Sequence, residues 1–419
     1  MRRVVISGLG LVAPTGVGAD AFWRALLEGR CGIGRITRFD PTSYPCQVGG
    51  EVRDTSYEAL LDPRTLRTTA HATQLAVAAA ELAARDARLD TRSCEPDLVG
   101  VVLGTALGGW RDAAQQQGIL LERGARRVNP FIVSGTPNHA PAAEVASVFG
   151  AQGPQLTLSA GCPASLQAIH LGATLVAGGD LDVCLAGGTE SPLIPMVLAA
   201  MGRTQELCVL NDDPARASRP FDCQHAGIVL SEGSCVVVLE SAESAARRGV
   251  RPYAEVLGGA SSCDARGMYG YDPSGDPGAR AVRRALSRSG LASDEIDYVC
   301  AHANASPIFD RKEALVMHAA FGEGARRIAV SSIKGIIGHP FGASGAFQVA
   351  ATVLAIRHQL LPPTHNLELP APECDLNHVT GAPRVASIRH ALITSYGYGG
   401  VNSYLVLGVM GVADRPALA

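Results

Sequence analysis

Two kinds of hydrophobic pattern alternate along this chain. Short apolar runs of strand length, RVVIS (3–7), VGVVLGT (99–105), LTL (156–158) and DVCLAGGTES (182–191), are bounded by glycine-containing turns. Between them lie stretches with apolar residues at helical spacing, as at Leu166, Ile169, Ala173 and Val176. The alanine-rich stretch 62–88 predicts one long helix, with Arg64 and Arg67 at its start. SRPFDCQHAGIVLSEGSCVVVLES (218–241) reads as a glycine-punctuated loop running into a strand. From about residue 250 the order recurs. DYVCAHANASP (297–307) answers the strand at 99–105, residues 327–358 answer the strand–turn–helix of 156–179, and residues 391–408 answer 182–191 and the strand after it. The repeat is one of pattern, with negligible identity between the copies. It predicts an internally duplicated α/β protein in two halves, 1–250 and 251–419, with its chemistry where equivalent loops meet.

The segment LTLSAGCPASLQAIHLGATLVAGG (156–179) is the centre of that pattern. Ala160 and Gly161 let the backbone turn sharply before Cys162, and a helix is predicted over 165–176, closed by Gly178 and Gly179. The thiol then lies at a helix N-terminus, where unpaired N–H groups and the macrodipole favour an anion. That placement predicts a cysteine pKa lowered from about 8.5 toward roughly 3.5–7.5. The competing reading of Cys162 is a small buried hydrophobe. A second motif, Gly8-x-Gly10-x-x-Ala13, matches the dinucleotide fingerprint only on paper. Pro14, Gly16 and Gly18 separate it from the helix expected near 19–22, so it reads as a strand-to-helix connector.

Composition narrows the function. The chain has 419 residues, 47% hydrophobic, 18% charged and 5% aromatic, which excludes disorder and suits a large core rich in tight turns. A net charge of −3 excludes nucleic-acid binding by bulk electrostatics, and an acidic partner would need a local basic patch. The eleven cysteines are an odd number with no CxxC pair, which argues against a disulfide framework or a zinc site and for a reducing cytoplasm. The N-terminal apolar run is short and glycine-broken, unlike a secretory segment. No apolar run reaches the roughly 18 residues of a membrane span.

Loops of the second half supply the groups a cysteine site needs: His302 after DYVCA, Lys334 in SSIKG, and His339 in IIGHPFGASGA. With these in order, the chain resembles a β-ketoacyl-acyl carrier protein synthase of the thiolase superfamily. The resemblance runs through VVISGLGLVAPTG, GTALGG, SAGCPASLQAIH, GGTES, SRPFDCQHAGIVLSEG, AHANASP, SSIKGIIGHPFGASGA and SYGYGGVNS, over about residues 1–410. Within the family it is most similar to type II polyketide and fatty-acid condensing enzymes. It implies a five-layered αβαβα thiolase-like fold and an acyltransferase that loads Cys162 and then condenses it with a malonyl-carrier thioester. By the same resemblance Cys162 and Tyr398 supply backbone N–H donors to an oxyanion, and His302 and His339 donate to the enolate. Lys334 sets the electrostatics of the histidines and Glu313 supports them. Leu107 and Tyr398 border the acyl pocket, whose tunnel runs toward a dimer interface at residues 129–138, and Asn304 and Ser306 meet the pantetheine arm. No metal or cofactor is implied, since the phosphopantetheine arm comes with the carrier. The implied partners are an acyl carrier protein, docking near Arg64 and Arg67, and a second subunit, either an identical copy or a ketosynthase-like chain-length subunit. No nucleic acid or membrane is implied, and the expected location is the cytoplasm.

Four departures bear on substrate choice. The family's His-Gly-Thr-x-Thr turn is His302-Ala303-Asn304-Ala305-Ser306, Pro163 follows the nucleophile, His225 and Ala226 stand where Arg-Asp is common, and Tyr398 replaces a gating phenylalanine. Alternative readings are a housekeeping fatty-acid elongating ketosynthase, a related acyltransferase without decarboxylation, and a non-catalytic chain-length subunit. Retention of Cys162, both histidines and Lys334 argues against the last.

Overall fold

The computed structural model describes residues 1–410. Residues 411–419, part of the expected second half, lie outside the described residues. The first strand, β1 (Val4–Ala13), is buried at every position. Gly8 and Gly10 lie inside it, so the fingerprint glycines form neither a loop nor a phosphate cradle. A Cβ at Gly8 would stand 2.3 Å from the Ala83 carbonyl oxygen and one at Gly10 2.0 Å from that of Ala79, so these glycines let a helix press onto the sheet. After α1 (Ala19–Glu28) the alanine-rich stretch forms two helices where one was expected, α2 (Pro63–Thr68) and α3 (His71–Asp86). The break has local causes. Thr68 and Thr69 donate their hydroxyls to the carbonyls of Arg64 and Thr65 at 2.9 and 2.7 Å, closing α2. Asp112, from a distant helix, accepts the His71 N–H at 3.1 Å and starts α3.

The first half continues with β2 (Val99–Gly104), α4 (Trp110–Arg123), α5 (Ala140–Phe149), β3 (Gln155–Leu158), α6 (Ala164–Gly178), β4 (Val183–Glu190) and β5 (Gly233–Ser241). The second contains β6 (Ala254–Cys263), α7 (Asp276–Ser289), β7 (Tyr298–Cys300), α8 (Pro307–Phe321), β8 (Ala329–Ser331), α9 (Ser344–His358), β9 (His390–Gly397) and β10 (Val401–Gly408). The strands lie in the order β3-β2-β4-β5-β1 in the first half and β8-β7-β9-β10-β6 in the second. These five-strand orders are identical position for position, and so are their parallel and antiparallel pairings; the second half adds one short edge strand, Asn377–His378, parallel to β8. The halves join where β1 and β6 pair antiparallel, with Val4 opposite Val256 and Ile6 opposite Ala254.

Burial on both faces explains the near-continuous apolar strands. On β5, Cys235, Val237 and Leu239 face the central layer with α6 and α9, while Val236 and Val238 face the outer layer with α3 and α5. On β10, Leu405 and Leu407 face the centre and Tyr404 and Val406 face α7 and α8. The result is the five-layered αβαβα thiolase-like fold, with two central helices whose N-terminal ends meet. Ala346 at the start of α9 donates its N–H to Ser165 Oγ of α6 at 3.0 Å.

Candidate active site

At that meeting point β3 ends, Gly161 turns in the left-handed region (φ 65°), and Cys162 precedes Pro163, the N-cap residue of α6. Proline is tolerated there because the first helical N–H groups lack intrahelical partners. Cys162 is 5% exposed, and His339 Nε2 lies 3.2 Å from its Sγ. The first half also holds the His339 backbone: His339 N–H donates to the Val229 carbonyl at 2.8 Å, and Ser231 N–H to that of His339 at 3.1 Å. His302 stands opposite, its ring edge-on to His339 with centroids 5.2 Å apart. Its backbone N–H donates to Glu313 Oε2 at 2.7 Å and Thr394 Oγ1 at 3.0 Å, and Lys334 Nζ donates to its carbonyl.

Burial dominates the electrostatics. It pushes both histidines well below the ordinary imidazole range, and the Lys334 charge pushes further, so both rings are neutral. The expected lowering of the Cys162 pKa does not occur. Desolvation of the enclosed thiol pushes it up to about 12, with Lys334 opposing and Glu190 adding to the rise. A helix end worth a fraction of a charge does not outweigh removal of water from the sulfur. The resting group is therefore a thiol whose nearest proton acceptor is neutral His339 Nε2. Burial also lowers Lys334 to about 8 and raises Glu190 and Glu313 to about 7 each. A thiol, an acceptor 3.2 Å away and a second neutral imidazole beside it suit covalent acyl transfer, followed by stabilisation of charge on a thioester oxygen.

The remaining sequence-derived residues fall at different distances from this centre. Glu313 joins it, accepting from His302, Thr394 and Tyr396. Tyr398 follows Gly397, where a Cβ would stand 2.8 Å from Pro163 Cδ, so the YGYGG loop rests on the Cys162–Pro163 turn. The half-buried Tyr398 ring stands edge-on to Tyr269 and Phe309 at 5.8 Å each, and Phe309 in turn packs edge-on to His302 at 5.6 Å. Leu107 belongs to the apolar cluster around Cys162, with Leu193, Val197 and Phe341. Asn304 and Ser306 are buried and hydrogen-bonded within the HANAS turn, with the Asn304 amide beside the His302 ring. Arg64 and Arg67 are exposed on α2 and form no ion pair among the described residues, and α2 is not the start of the long helix. Sequence reasoning missed Glu190. This buried carboxylate at the end of β4 accepts from the N–H groups of Ala106, Leu107 and Gly342 at 2.7, 3.1 and 3.0 Å. An acid closing an otherwise uncharged strand was the available signal. Asp310 was missed too. It accepts the Asn304 N–H at 2.9 Å and the Phe221 N–H at 2.7 Å, and faces His225 Nδ1 at 3.2 Å.

The sequence matches the family model of the β-ketoacyl synthase N-terminal domain over residues 1–245 and that of the C-terminal domain over 253–368. The chain belongs to the β-ketoacyl synthase family. As a β-ketoacyl synthase it is a condensing acyltransferase of the type II polyketide or fatty-acid kind. It is 40% identical over 412 residues to a "putative polyketide beta-ketoacyl synthase 1" of Streptomyces halstedii, covering 97% of this chain and 98% of that one. It is 39% identical over 401 residues to "3-oxoacyl-[acyl-carrier-protein] synthase 2" of Synechocystis, covering 96% of each. Among solved structures, the ishigamide ketosynthase/chain length factor matches with a TM-score of 0.91 at 30% identity, over 98% of this chain and 100% of that one. A type II polyketide ketosynthase in complex with its acyl carrier protein and bound to the hexaketide matches with a TM-score of 0.89 at 30% identity, over the same shares. No helix of this synthase, among the described residues, is long and apolar enough to cross a membrane.

Proposed function

We propose that this synthase elongates a polyketide chain on a discrete acyl carrier protein, using Cys162 as nucleophile. One observation carries the reading: His339 Nε2 lies 3.2 Å from Cys162 Sγ while His302 faces the same space, both rings neutral. In the loading half, Cys162 sulfur attacks the carbonyl of an acyl-carrier thioester as its proton passes to His339. The carrier thiolate leaves and takes that proton, so an acyl-Cys162 thioester replaces the carrier thioester. The backbone N–H groups of Cys162 and Tyr398 would receive the tetrahedral oxyanion, each such donor contributing about 2.7–4 kcal/mol in the transition state. In the condensing half, a malonyl-carrier thioester loses carbon dioxide, and the electron pair of the broken bond passes to an enolate. Neutral donors around His302 and His339 lower that barrier, and Lys334 stays behind them on the His302 carbonyl. The enolate carbon attacks the acyl-Cys162 carbonyl, the Cys162 thiolate leaves, and one proton from solvent restores the thiol.

The chemistry asks for no metal or cofactor of the chain's own, since the phosphopantetheine arm arrives on the carrier. The partners in this reading are that carrier and a second ketosynthase-like chain, identical or a chain-length subunit. Trp110, Leu121, Phe131, Val133 and Leu156 are exposed on α4, β3 and the segment between them, an apolar face for a second chain to cover. All eleven cysteines are free thiols, which supports a cytoplasmic location. The likeness to the Synechocystis enzyme supports fatty-acid elongation as the second reading. Intact-protein mass spectrometry after incubation with a panel of acyl and malonyl carriers tests both. Products two carbons longer that keep the keto group are expected. Loading without extension would overturn condensation, and confinement to saturated acyl carriers would favour the second reading.

A further inference from the structure

We propose that Asn304 holds the His302 ring with its proton on Nδ1 and the Nε2 lone pair facing the Asn304 amide, so that on this side of the pocket the amide, not the ring, is the donor offered to the malonyl thioester oxygen. The inference rests on the condensing reading above and deepens it. Three contacts fix Asn304. Its backbone N–H donates to Asp310 Oδ1 at 2.9 Å, its side-chain Oδ1 accepts the Ser306 N–H at 3.1 Å, and its side-chain Nδ2 lies 3.3 Å from His302 Nε2. The second contact decides which way the amide points. Were it flipped, the amide NH₂ would meet the Ser306 N–H donor to donor, so the NH₂ must face the histidine.

Two donors cannot face each other at that distance, so His302 Nε2 must be the acceptor. The doubly protonated ring is excluded by burial and by the charge of Lys334, whose ammonium bonds the His302 carbonyl. One neutral tautomer remains, with the proton on Nδ1. That nitrogen is buried without a hydrogen-bond partner among the described residues. The turn also carries strain, because Ala305 sits at φ 68°, a region an L-residue enters at a cost of about 1–3 kcal/mol. The other hydrogen of the amide is left for a ligand. The His-x-Asn turn thus reassigns a donor that the sequence resemblance gave to the ring itself.

The test uses the full-length protein labelled with 15N-histidine, in which long-range 1H–15N correlations report the protonated nitrogen. His302 is assigned by the signal lost in His302→Gln. The unmodified protein is expected to show the proton on Nδ1. Asn304→Asp is isosteric and keeps an oxygen for Ser306, but replaces the NH₂ by an acceptor, so the proton should move to Nε2. Its malonyl-carrier decarboxylation should fall roughly 10²-fold, the size of losing one donor to a developing oxyanion, while Cys162 still loads. Asn304→Thr guards against a folding defect in the first variant. Its hydroxyl serves either tautomer, so the Nε2-protonated form should gain population and decarboxylation should be largely rescued. An Nε2-protonated ring in the unmodified protein, or an unchanged tautomer in Asn304→Asp, overturns the proposal. An Nδ1-protonated ring in a protein that decarboxylates no malonyl carrier would keep the role of Asn304 and overturn the condensing reading instead.

Discussion

In the first half, Glu190 closes β4 and accepts only from neutral groups: three backbone N–H groups and the Thr105 hydroxyl. In the second half, Glu313 on α8 accepts from the His302 backbone and two hydroxyls, and its charge works on Lys334 and Lys312. Both carboxylates are buried and pushed up to about 7, yet they serve different ends. Glu190 ties the Leu107 turn to Gly342 across the halves and shapes an apolar chamber around the thiol. Glu313 stands inside a charged network that also contains the Lys312–Asp264 pair at 2.6 Å. One topology, used twice, has put Cys162 beside a carboxylate that faces no lysine and His302 beside one whose charge works on two. A thiol kept protonated by burial needs a proton acceptor, and the second copy supplies it across the seam.

Removing the Cys162 thiol breaks this division most completely. Cys162→Ala should abolish covalent acyl loading, read by intact mass, while leaving circular dichroism and melting near normal because only a sulfur is lost. Acyl uptake by that variant would remove Cys162 from its role. The histidines come next. His302→Ala and His339→Ala should each lower malonyl decarboxylation roughly 10²–10³-fold, as loss of an oxyanion donor or its support does. His339→Ala should also slow loading, because it takes the acceptor 3.2 Å from the thiol, whereas His302→Ala should largely spare it. Equal loss of both half-reactions in both variants would erase the distinction between the two rings.

How much of this was legible beforehand follows from where each cause lies. The strand–turn–helix around Cys162 was readable, because helical spacing, the small residues Ala160 and Gly161 and the closing glycines are all local. The break between α2 and α3 was not, since Asp112 starts the second helix from 41 residues away in sequence. Gly8 and Gly10 suggested a connector and lie in a strand because α3 crosses directly over them. The thiol pKa was read from the helix end alone, while the deciding influence was enclosure by both halves, a tertiary fact. The HANAS turn marked the right place, but the direction of the Asn304 amide is set by Ser306 and Asp310 together.

The glutamates give a smaller, pH-dependent effect. Their folded pKa of about 7 exceeds the ordinary 4.5, so between those values the folded chain binds protons the unfolded chain has released. The stability each contributes is full below about 4.5 and is lost as pH rises toward about 7. Glu190→Gln and Glu313→Gln should each flatten the fall in melting temperature across that window. Glu313→Gln should in addition depress decarboxylation through the His302 backbone, and Glu190→Gln should act through the Leu107 turn on loading. A slope unchanged in both variants would show that neither carboxylate titrates there. Tyr398→Phe is milder. Its hydroxyl lies beside the Glu206 carboxylate, so the change should lower stability by no more than about 1 kcal/mol, read by denaturant melts, with turnover retained. It should also narrow the preference for unsaturated or oxygenated acyl chains over saturated ones.

The smallest effect concerns the surface, where the halves no longer matter and screening does. An acyl carrier protein is strongly acidic while this chain carries a net charge of −3, so attraction must come from a local patch. Arg64 and Arg67 qualify because both are exposed on α2 and neither is neutralised by an ion pair among the described residues. Exposed charges contribute up to roughly 1 kcal/mol each, and their reach is about 10 Å at 0.1 M salt. Reversing both to Glu should therefore raise the apparent KM for the carrier by about 2- to 10-fold at low salt, with kcat unchanged. The difference from the unmodified enzyme should shrink as salt is raised toward 1 M, where the reach falls to about 3 Å. Loading from a small pantetheine thioester lacking the carrier should be the same for both proteins. A low-salt KM that does not move would take these arginines out of the docking surface. A KM effect that persists at high salt would point to altered packing of α2, whose Asp62 cap accepts the Arg64 N–H at 2.6 Å, rather than to charge.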